Sequence, residues 1–281
     1  MRVHPTAIVD PRAKLADDTE IGPYSVVGPG VTLGPGCRLE SNVAIIGRTT
    51  VGPNCRFHTG AVVGGTPQDQ KYRGEDSELI IGANNVIREF VTINTGTAGG
   101  GGKTVIGDGN LLMAYVHVAH DCILGNHIVL ANVATLGGHI VVGDGARISG
   151  LAAVHHFVTI GRLAFVGGCA KVVQDVPPFM MVDGNPARVR GLNLEGLKRS
   201  GMSREDIQDL KEAYRLLYRS DLNRSQAVEE MTKRGLAEKA AVAEIIRFLH
   251  ESERGRRGRG REALRTDIPL GRNARDGRPD A

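Results

Sequence analysis

The sequence predicts a parallel β-solenoid closed by a small helical unit, and three observations carry that expectation. An apolar residue recurs at every sixth position: Val3, Val9, Leu15, Ile21, Val27, Leu33, Leu39, Ile45, Val51, Phe57 and Val63 form one unbroken run. A second run, from Ile106 and Leu112 to Val166 and Val172, has no miss, and Ile81, Ile87 and Ile93 keep the phase of the first. The residue four places after the apolar one is usually small, as at Ala7, Ala13, Thr19, Ser25, Cys37, Ala61, Ala134 and Ala164. Glycine often follows the apolar residue directly, as in Ile21-Gly22, Val51-Gly52, Leu124-Gly125 and Ile160-Gly161.

A period of six is neither the helical 3.6 nor the strand period of two, so it marks a repeat architecture. Each hexad makes a short strand and a turn, with the apolar side chain inward and the small residue where the chain bends. Three hexads close one triangular coil of about 18 residues, and coils stack about 4.8 Å apart through backbone hydrogen bonds. Periodicity does not set the hand of the coil; the short hexad with its small residue resembles the left-handed parallel β-helix.

The repeat is expected over residues 1–190 with two interruptions. Residues 64–79, GGTPQDQKYRGEDSEL, break the rhythm but keep its phase, and residues 94–105, with four consecutive glycines, add one to the count. Both should loop out, and loops held by a rigid scaffold are where function concentrates. The Pro- and Gly-rich stretch QDVPPFMMVDGNPARVRG ends the coil. A helical domain follows over 191–250: Leu197, Leu210, Tyr214, Leu217 and Tyr218 have helical spacing, Ser203 and Asp206 suggest a capping box, and further helices are expected near 224–234 and 236–250.

Composition narrows the classes. Tryptophan is absent, aromatics are 4% and glycine reaches 38 of 281 residues, which suits thin stacked coils better than a globular core. No apolar run approaches the ~20 residues of a membrane span. The start, MRVHPTAIVD, lacks a secretory pattern, so a cytoplasmic protein without an integral membrane segment is expected. Cys37, Cys55 and Cys122 occupy the small inward site and read as packing. The formal net charge of +4 equals that of residues 252–281 alone, with nine Arg against five acids, so the body is balanced and nucleic-acid binding is not expected. Residues 251–281 read as a disordered, solvated basic tail.

Histidine carries the chemistry. His117, His120, His127, His139, His155 and His156 all fall in the second run. At about 18 residues per coil, positions 120, 138 and 156 lie over one another, with His117, His139 and His155 adjacent. A lone turn histidine is ordinarily a solvated polar residue; a vertical cluster on one edge is less ordinary. It fits a metal site, a general base with substrate-binding neighbours, or a polar seam between subunits.

The stretch VHVAHDC at 116–122, with QDQKYRGE at 68–75, GGGGKTVIGDGNLLM at 99–113, VHHF at 154–157, QDVPP at 174–178, GNPA at 184–187 and NLEGLKRSG at 193–201, closely resembles the bacterial UDP-N-acetylglucosamine 3-O-acyltransferase family over residues 1–220. The resemblance implies a homotrimer of left-handed β-helices with active sites between subunits and no cofactor or metal. It implies transfer of an (R)-3-hydroxyacyl group from acyl carrier protein to the sugar 3-hydroxyl of UDP-N-acetylglucosamine, the first step of lipid A synthesis. His120 matches the base, Asp121 the acid that orients it, and Gly138 the backbone donor to the oxyanion. Asp69 and Lys71 match residues around the sugar and acyl chain. His117, His139 and His155 match binding positions, and Asn193, Glu195 and Arg199 match uridine and diphosphate contacts. Gly168 lies where acyl length is set and leaves a deep groove. His156 stands where the family usually has Gln, which leaves the 3-amino analogue of the sugar as an alternative acceptor. A zinc-dependent β-helical hydratase is the alternative from another class. Arg199, Arg204 and Lys211 are candidates for a basic surface that receives the acidic carrier.

Overall fold

The structure, a computed structural model, describes residues 1–264. Its first 179 residues wind as a three-sided solenoid of two- to four-residue strands, with nine, nine and eight parallel strands on the three faces. Arg2–Val3, Ile8–Val9 and Lys14–Leu15 begin the first, second and third faces. Strands one coil apart pair in parallel, Arg2 with Glu20 and Val26 with Ala44, an offset of 18 residues. Across the first interruption Val63 pairs with Ile93, and across the second Ile93 pairs with Val118. The excursions therefore add twelve and seven residues to a coil, and the phase holds across the first alone.

The sixth-position series is the core: Val27, Ile45, Phe57, Val63, Ile93, Val118, Leu136, Ile148 and Val166 are all buried. Val3 is 38% exposed because no coil lies beneath it. The third residue of most turns is left-handed, at Asn54, Tyr115, Asp121, Val133 and His139, among others. For β-branched Val133 at φ 64° this is strained backbone, enforced by the coil above and below. The first-to-second corner carries an exposed apolar ladder that includes Phe90 stacked on Tyr115 at 5.1 Å.

The solenoid ends in a feature the rhythm did not foretell, an antiparallel hairpin of Met180–Gly184 and Ala187–Leu192. Four helices follow: α1 Leu194–Arg199, α2 Arg204–Tyr218, α3 Arg224–Lys233 and α4 Ala240–Glu253. The Ser203 hydroxyl accepts the Asp206 N–H, and Asn223 with Gln226 forms a full capping box at α3. Leu197, Leu210, Met231, Val242 and Ile245 share a core with Phe179 and Met180 at the end of the solenoid. Arg162 on the third-to-first corner pairs with Glu244 of α4 at 2.8 Å. No helix among the described residues is long and apolar enough to cross a membrane.

The expectation of a solvated tail from 251 onward fails for its first part. Helix α4 runs on to Glu253, and a 3-10 segment spans Gly258–Leu264. The Ser252 hydroxyl donates to Asp175 at 2.6 Å and the Gly258 N–H to Thr159 at 3.1 Å, which tie the segment to the solenoid. Residues 265–281 of the expected tail lie outside the described residues.

Candidate active site

Both breaks in the rhythm leave from one corner. The first joins second-face Val62–Gly65 to third-face Glu78–Ile81, and the second joins Thr92–Asn94 to Lys103–Ile106. In the next coil the same corner is a tight turn holding His120 and Asp121. Above it lie Gly138 and His139, then His156 and Phe157, as the pairings of His117 with Thr135 and Thr135 with Ala153 require.

His120 Nδ1 lies 2.7 Å from Asp121 Oδ2, and the two side chains are 13% and 1% exposed. The second excursion grips the carboxylate from the other side: the Thr97 N–H donates to Oδ1 at 2.8 Å and its hydroxyl to Oδ2 at 2.7 Å. The Asp121 N–H donates to the Thr104 hydroxyl at 2.8 Å. Burial opposes ionisation of Asp121, yet the hydrogen bonds from His120 and Thr97 outweigh it and hold the carboxyl below its ordinary value of 3.8. A carboxylate only accepts, so the proton between the two groups sits on His120 Nδ1, and in the neutral ring the lone pair is then on Nε2.

Gly138 closes over that ring. A Cβ here would stand 2.6 Å from His120 Cε1 and 2.8 Å from Nε2, so only glycine leaves the imidazole its place. The Gly138 carbonyl accepts the Phe157 N–H, while among the described residues no acceptor takes the Gly138 N–H. His139 Nδ1 lies 3.8 Å from Asp121 Oδ2, and its ring is edge-on to His120 at 5.1 Å and stacked on Phe157 at 4.3 Å. His117 Nδ1 is 2.7 Å from the Thr92 hydroxyl, and burial, helped by nearby His120, keeps this imidazole below the ordinary 6.5. The rings of His155 and His156 lie 3.8 Å apart one coil higher. Asp69 and Lys71 ride on the first excursion, where Asp69 Oδ1 accepts the Lys71 N–H at 2.9 Å. Cys122 is buried with its thiol pushed up to about 12 by that burial, which removes it as a nucleophile.

The remaining expected residues lie elsewhere in the chain. Glu195 and Arg199 line a cavity of about 500 Å³ with His127, Asp144 and Arg162 on the third-to-first corner. Asn193 borders it with its side chain engaged in structure: Oδ1 accepts the Gly196 N–H that caps α1, and Nδ2 donates to the Leu163 carbonyl at 2.9 Å. Gly168 is exposed on the first-to-second corner, where a Cβ would meet the Gly150 carbonyl at 3.5 Å. One chain thus brings His120, Asp121 and the Gly138 amide together, and leaves the expected nucleotide contacts on a different corner.

Sequence reading missed Thr97, Thr104 and Phe157. A signal existed for the second excursion: Gly100, one of the four glycines, abuts the Asp121 carboxylate so closely that a Cβ has no room. His120, Asp121 and His139 each present a ligand atom within 4.8 Å of the others. A cation there would displace the proton that joins His120 to Asp121.

Known proteins resemble this chain over most of its length. Residues 175–257 match the model of UDP-N-acetylglucosamine O-acyltransferase domain 2, and residues 103–138 match the bacterial transferase hexapeptide repeat. The chain is 50% identical over 256 residues to the acyl-[acyl-carrier-protein]–UDP-N-acetylglucosamine O-acyltransferase of Verminephrobacter eiseniae, covering 90% of this chain and 98% of that one. It is 47% identical over 254 residues to that of Halorhodospira halophila, with the same coverage. The UDP-N-acetylglucosamine acyltransferase structure from Bacteroides fragilis superposes with a TM-score of 0.85 at 36% identity, covering 88% of this chain and 96% of that one. That from Campylobacter jejuni gives 0.84 at 37%, covering 89% and 96%. The solenoid is the left-handed parallel β-helix of these structures.

Proposed function

The chain belongs to the UDP-N-acetylglucosamine O-acyltransferase family, and we propose that its histidine corner performs that reaction with His120 as the base. The enzyme is an acyltransferase: it moves an (R)-3-hydroxyacyl group from acyl carrier protein to the 3-hydroxyl of UDP-N-acetylglucosamine, the first step of lipid A synthesis. One observation carries the assignment of roles: His120 Nδ1 is bound to Asp121 at 2.7 Å, with Nε2 turned toward the edge of Gly138.

A sugar hydroxyl is a weak nucleophile, so its proton must leave as it attacks the thioester carbonyl. His120 Nε2 takes that proton, and Asp121 stabilises the imidazolium that forms while fixing its orientation. The carbonyl oxygen gains charge and is met by the Gly138 N–H, which has no acceptor among the described residues. Collapse of the tetrahedral intermediate breaks the C–S bond, and the imidazolium returns its proton to the departing thiolate. No acyl-enzyme is required, since Cys122 is buried and protonated.

The split between corners supports a trimer. His120 and the cavity holding Glu195 and Arg199 cannot serve one substrate from a single chain, whereas a three-fold assembly sets one corner of each prism against another corner of its neighbour. In that arrangement Asp69, Lys71, His117, His139, His155 and His156 border the acyl and sugar groups. Asn193 acts by positioning α1, and Glu195 and Arg199 face the nucleotide. Gly168 leaves the groove deep, and Arg204 and Lys211 extend a basic surface toward the carrier. The reaction is placed in the cytoplasm, where acyl carrier protein resides.

The test is product mass. Incubation with UDP-N-acetylglucosamine and mixed 3-hydroxyacyl carrier thioesters should give a singly O-acylated nucleotide sugar, and His120→Ala should lower the rate by at least about 10³-fold with the fold intact. Near wild-type turnover of that variant overturns the role given to His120.

A further inference from the structure

The reaction as derived makes no use of the arginine-rich segment after α4, yet this segment lies against the catalytic corner. From Gly258, bonded to Thr159, the chain runs down the corner toward the base. Arg259 Nη1 is 2.6 Å from His155 Nδ1, and Arg261 Nη2 donates to the His139 carbonyl at 2.6 Å. Arg261 also lies 5.7 Å from the centroid of Phe157, the ring that stacks on His139. Between the segment and the third face is a cavity of about 330 Å³ lined by Val141, Thr159, Glu251, Arg256, Arg257 and Arg261.

Among the described side chains the charges in that cavity are not balanced. Glu251 is taken by Arg257. Asp175, the other nearby acid, accepts from the Ser252 hydroxyl and the Thr159 N–H. Arg261 has no carboxylate within 4.0 Å among the described residues, and its buried Nε has no hydrogen-bond partner. A half-buried guanidinium with an unsatisfied N–H is costly, and an anion would relieve both the charge and the orphaned donor. Guanidinium groups fit phosphate oxygens in particular.

We propose that this cavity is a phosphate subsite of the acyltransfer cleft, anchored by Arg261. The inference rests on the acyltransferase reading, because the occupant is a phosphate of one of that reaction's substrates. Two sources share this chemistry: the diphosphate of the nucleotide sugar and the phosphodiester of the carrier's pantetheine arm. The family model ends at residue 257, so the anchor stands just outside the region that defines the family.

The experiment uses the full chain and does not depend on turnover. Titration calorimetry with UDP and, separately, with 4′-phosphopantetheine compares wild type, Arg261→Gln and Arg261→Lys. Arg261→Gln should weaken one of the two ligands about tenfold, equivalent to about 1.4 kcal/mol, and Arg261→Lys should recover part of the loss. Loss confined to UDP assigns the diphosphate; loss confined to phosphopantetheine assigns the pantetheine arm. Unchanged affinity for both ligands, with melting temperatures equal to wild type, overturns the subsite. Where Arg261→Gln also melts lower, the affinity ratio of Arg261→Lys to wild type decides, and a ratio of one overturns the proposal. Wild-type transfer to UDP-N-acetylglucosamine is assayed in parallel, so failure of the parent reading shows as absent product rather than as unchanged affinity.

Discussion

Two corners of the same prism use the same turn to opposite ends. On the third-to-first corner the second turn residue is Asp108, Asn126 or Asp144, and each caps the coil beneath it. Asn126 Oδ1 accepts the Asp108 N–H at 2.7 Å and Asp144 Oδ1 accepts the Asn126 N–H at 2.7 Å. On the second-to-third corner the equivalent positions are His120, Gly138 and His156. Among the described residues no side-chain oxygen stands above Gly138, which leaves its N–H for the proposed oxyanion, and the missing Cβ leaves room for His120. In the proposed mechanism a structural ladder becomes a catalytic one when the capping side chain is withheld at one rung. The cost of an unsatisfied turn amide is tolerated at that rung because both flanking coils keep their backbone ladders.

The comparison breaks most visibly on a methyl group. Gly138→Ala places a Cβ against the His120 ring, a side chain that can move, so the fold should survive while kcat falls on the order of 10²-fold or more through loss of base geometry. Gly107→Ala meets the Gly125 carbonyl oxygen at 2.6 Å and carbonyl carbon at 2.9 Å, backbone that cannot yield. Its effect should be a lowered melting temperature with near wild-type kcat in the folded fraction. Thermal melts and steady-state rates on both variants separate the two outcomes; an inactive but stable Gly107→Ala would erase the distinction between corners.

Polar turn side chains on the two corners should divide in the same way. Asp121→Asn keeps the shape but lets His120 take the other tautomer, so kcat should fall on the order of 10²- to 10⁴-fold with little change in KM. Asn126→Ala removes the cap on Asp108 and should cost about 1 kcal/mol of stability without altering kcat. Urea unfolding and initial rates are the readouts. Comparable rate losses in the two variants would contradict the division.

Much of this was legible because the repeat converts sequence distance into height. A spacing of 18 puts Gly138 over His120, and the register shows the chain stacked that way. What the repeat does not index stayed hidden. Thr97 lies in an excursion with no period, so only the glycine run beside it hinted at a close approach, and nothing in the spacing set Thr97 against the Asp121 carboxylate. Asn193 reads as a ligand contact, but its side chain is consumed as the cap of α1. The arginine run from 254 to 261 reads as solvated by composition, yet the backbone there docks on Thr159 through a single N–H. Charge density says what a segment would prefer in water, not which neutral acceptors a nearby corner offers it.

The smallest expected effect concerns acid stability and rests on His117. Its folded pKa lies below the ordinary 6.5, first from burial and then from the nearby His120. The unfolded chain therefore binds a proton more readily than the folded one. The stability tied to neutral His117 is fully present above pH 6.5 and is lost as pH falls from there through the folded pKa. His117→Asn keeps a polar partner for Thr92 but cannot take up a proton. The difference in urea midpoint between pH 7.5 and pH 5.5 should thus be smaller in the variant than in wild type. Equal pH slopes in wild type and His117→Asn would mean that the buried imidazole is not what the catalytic corner protects from protonation.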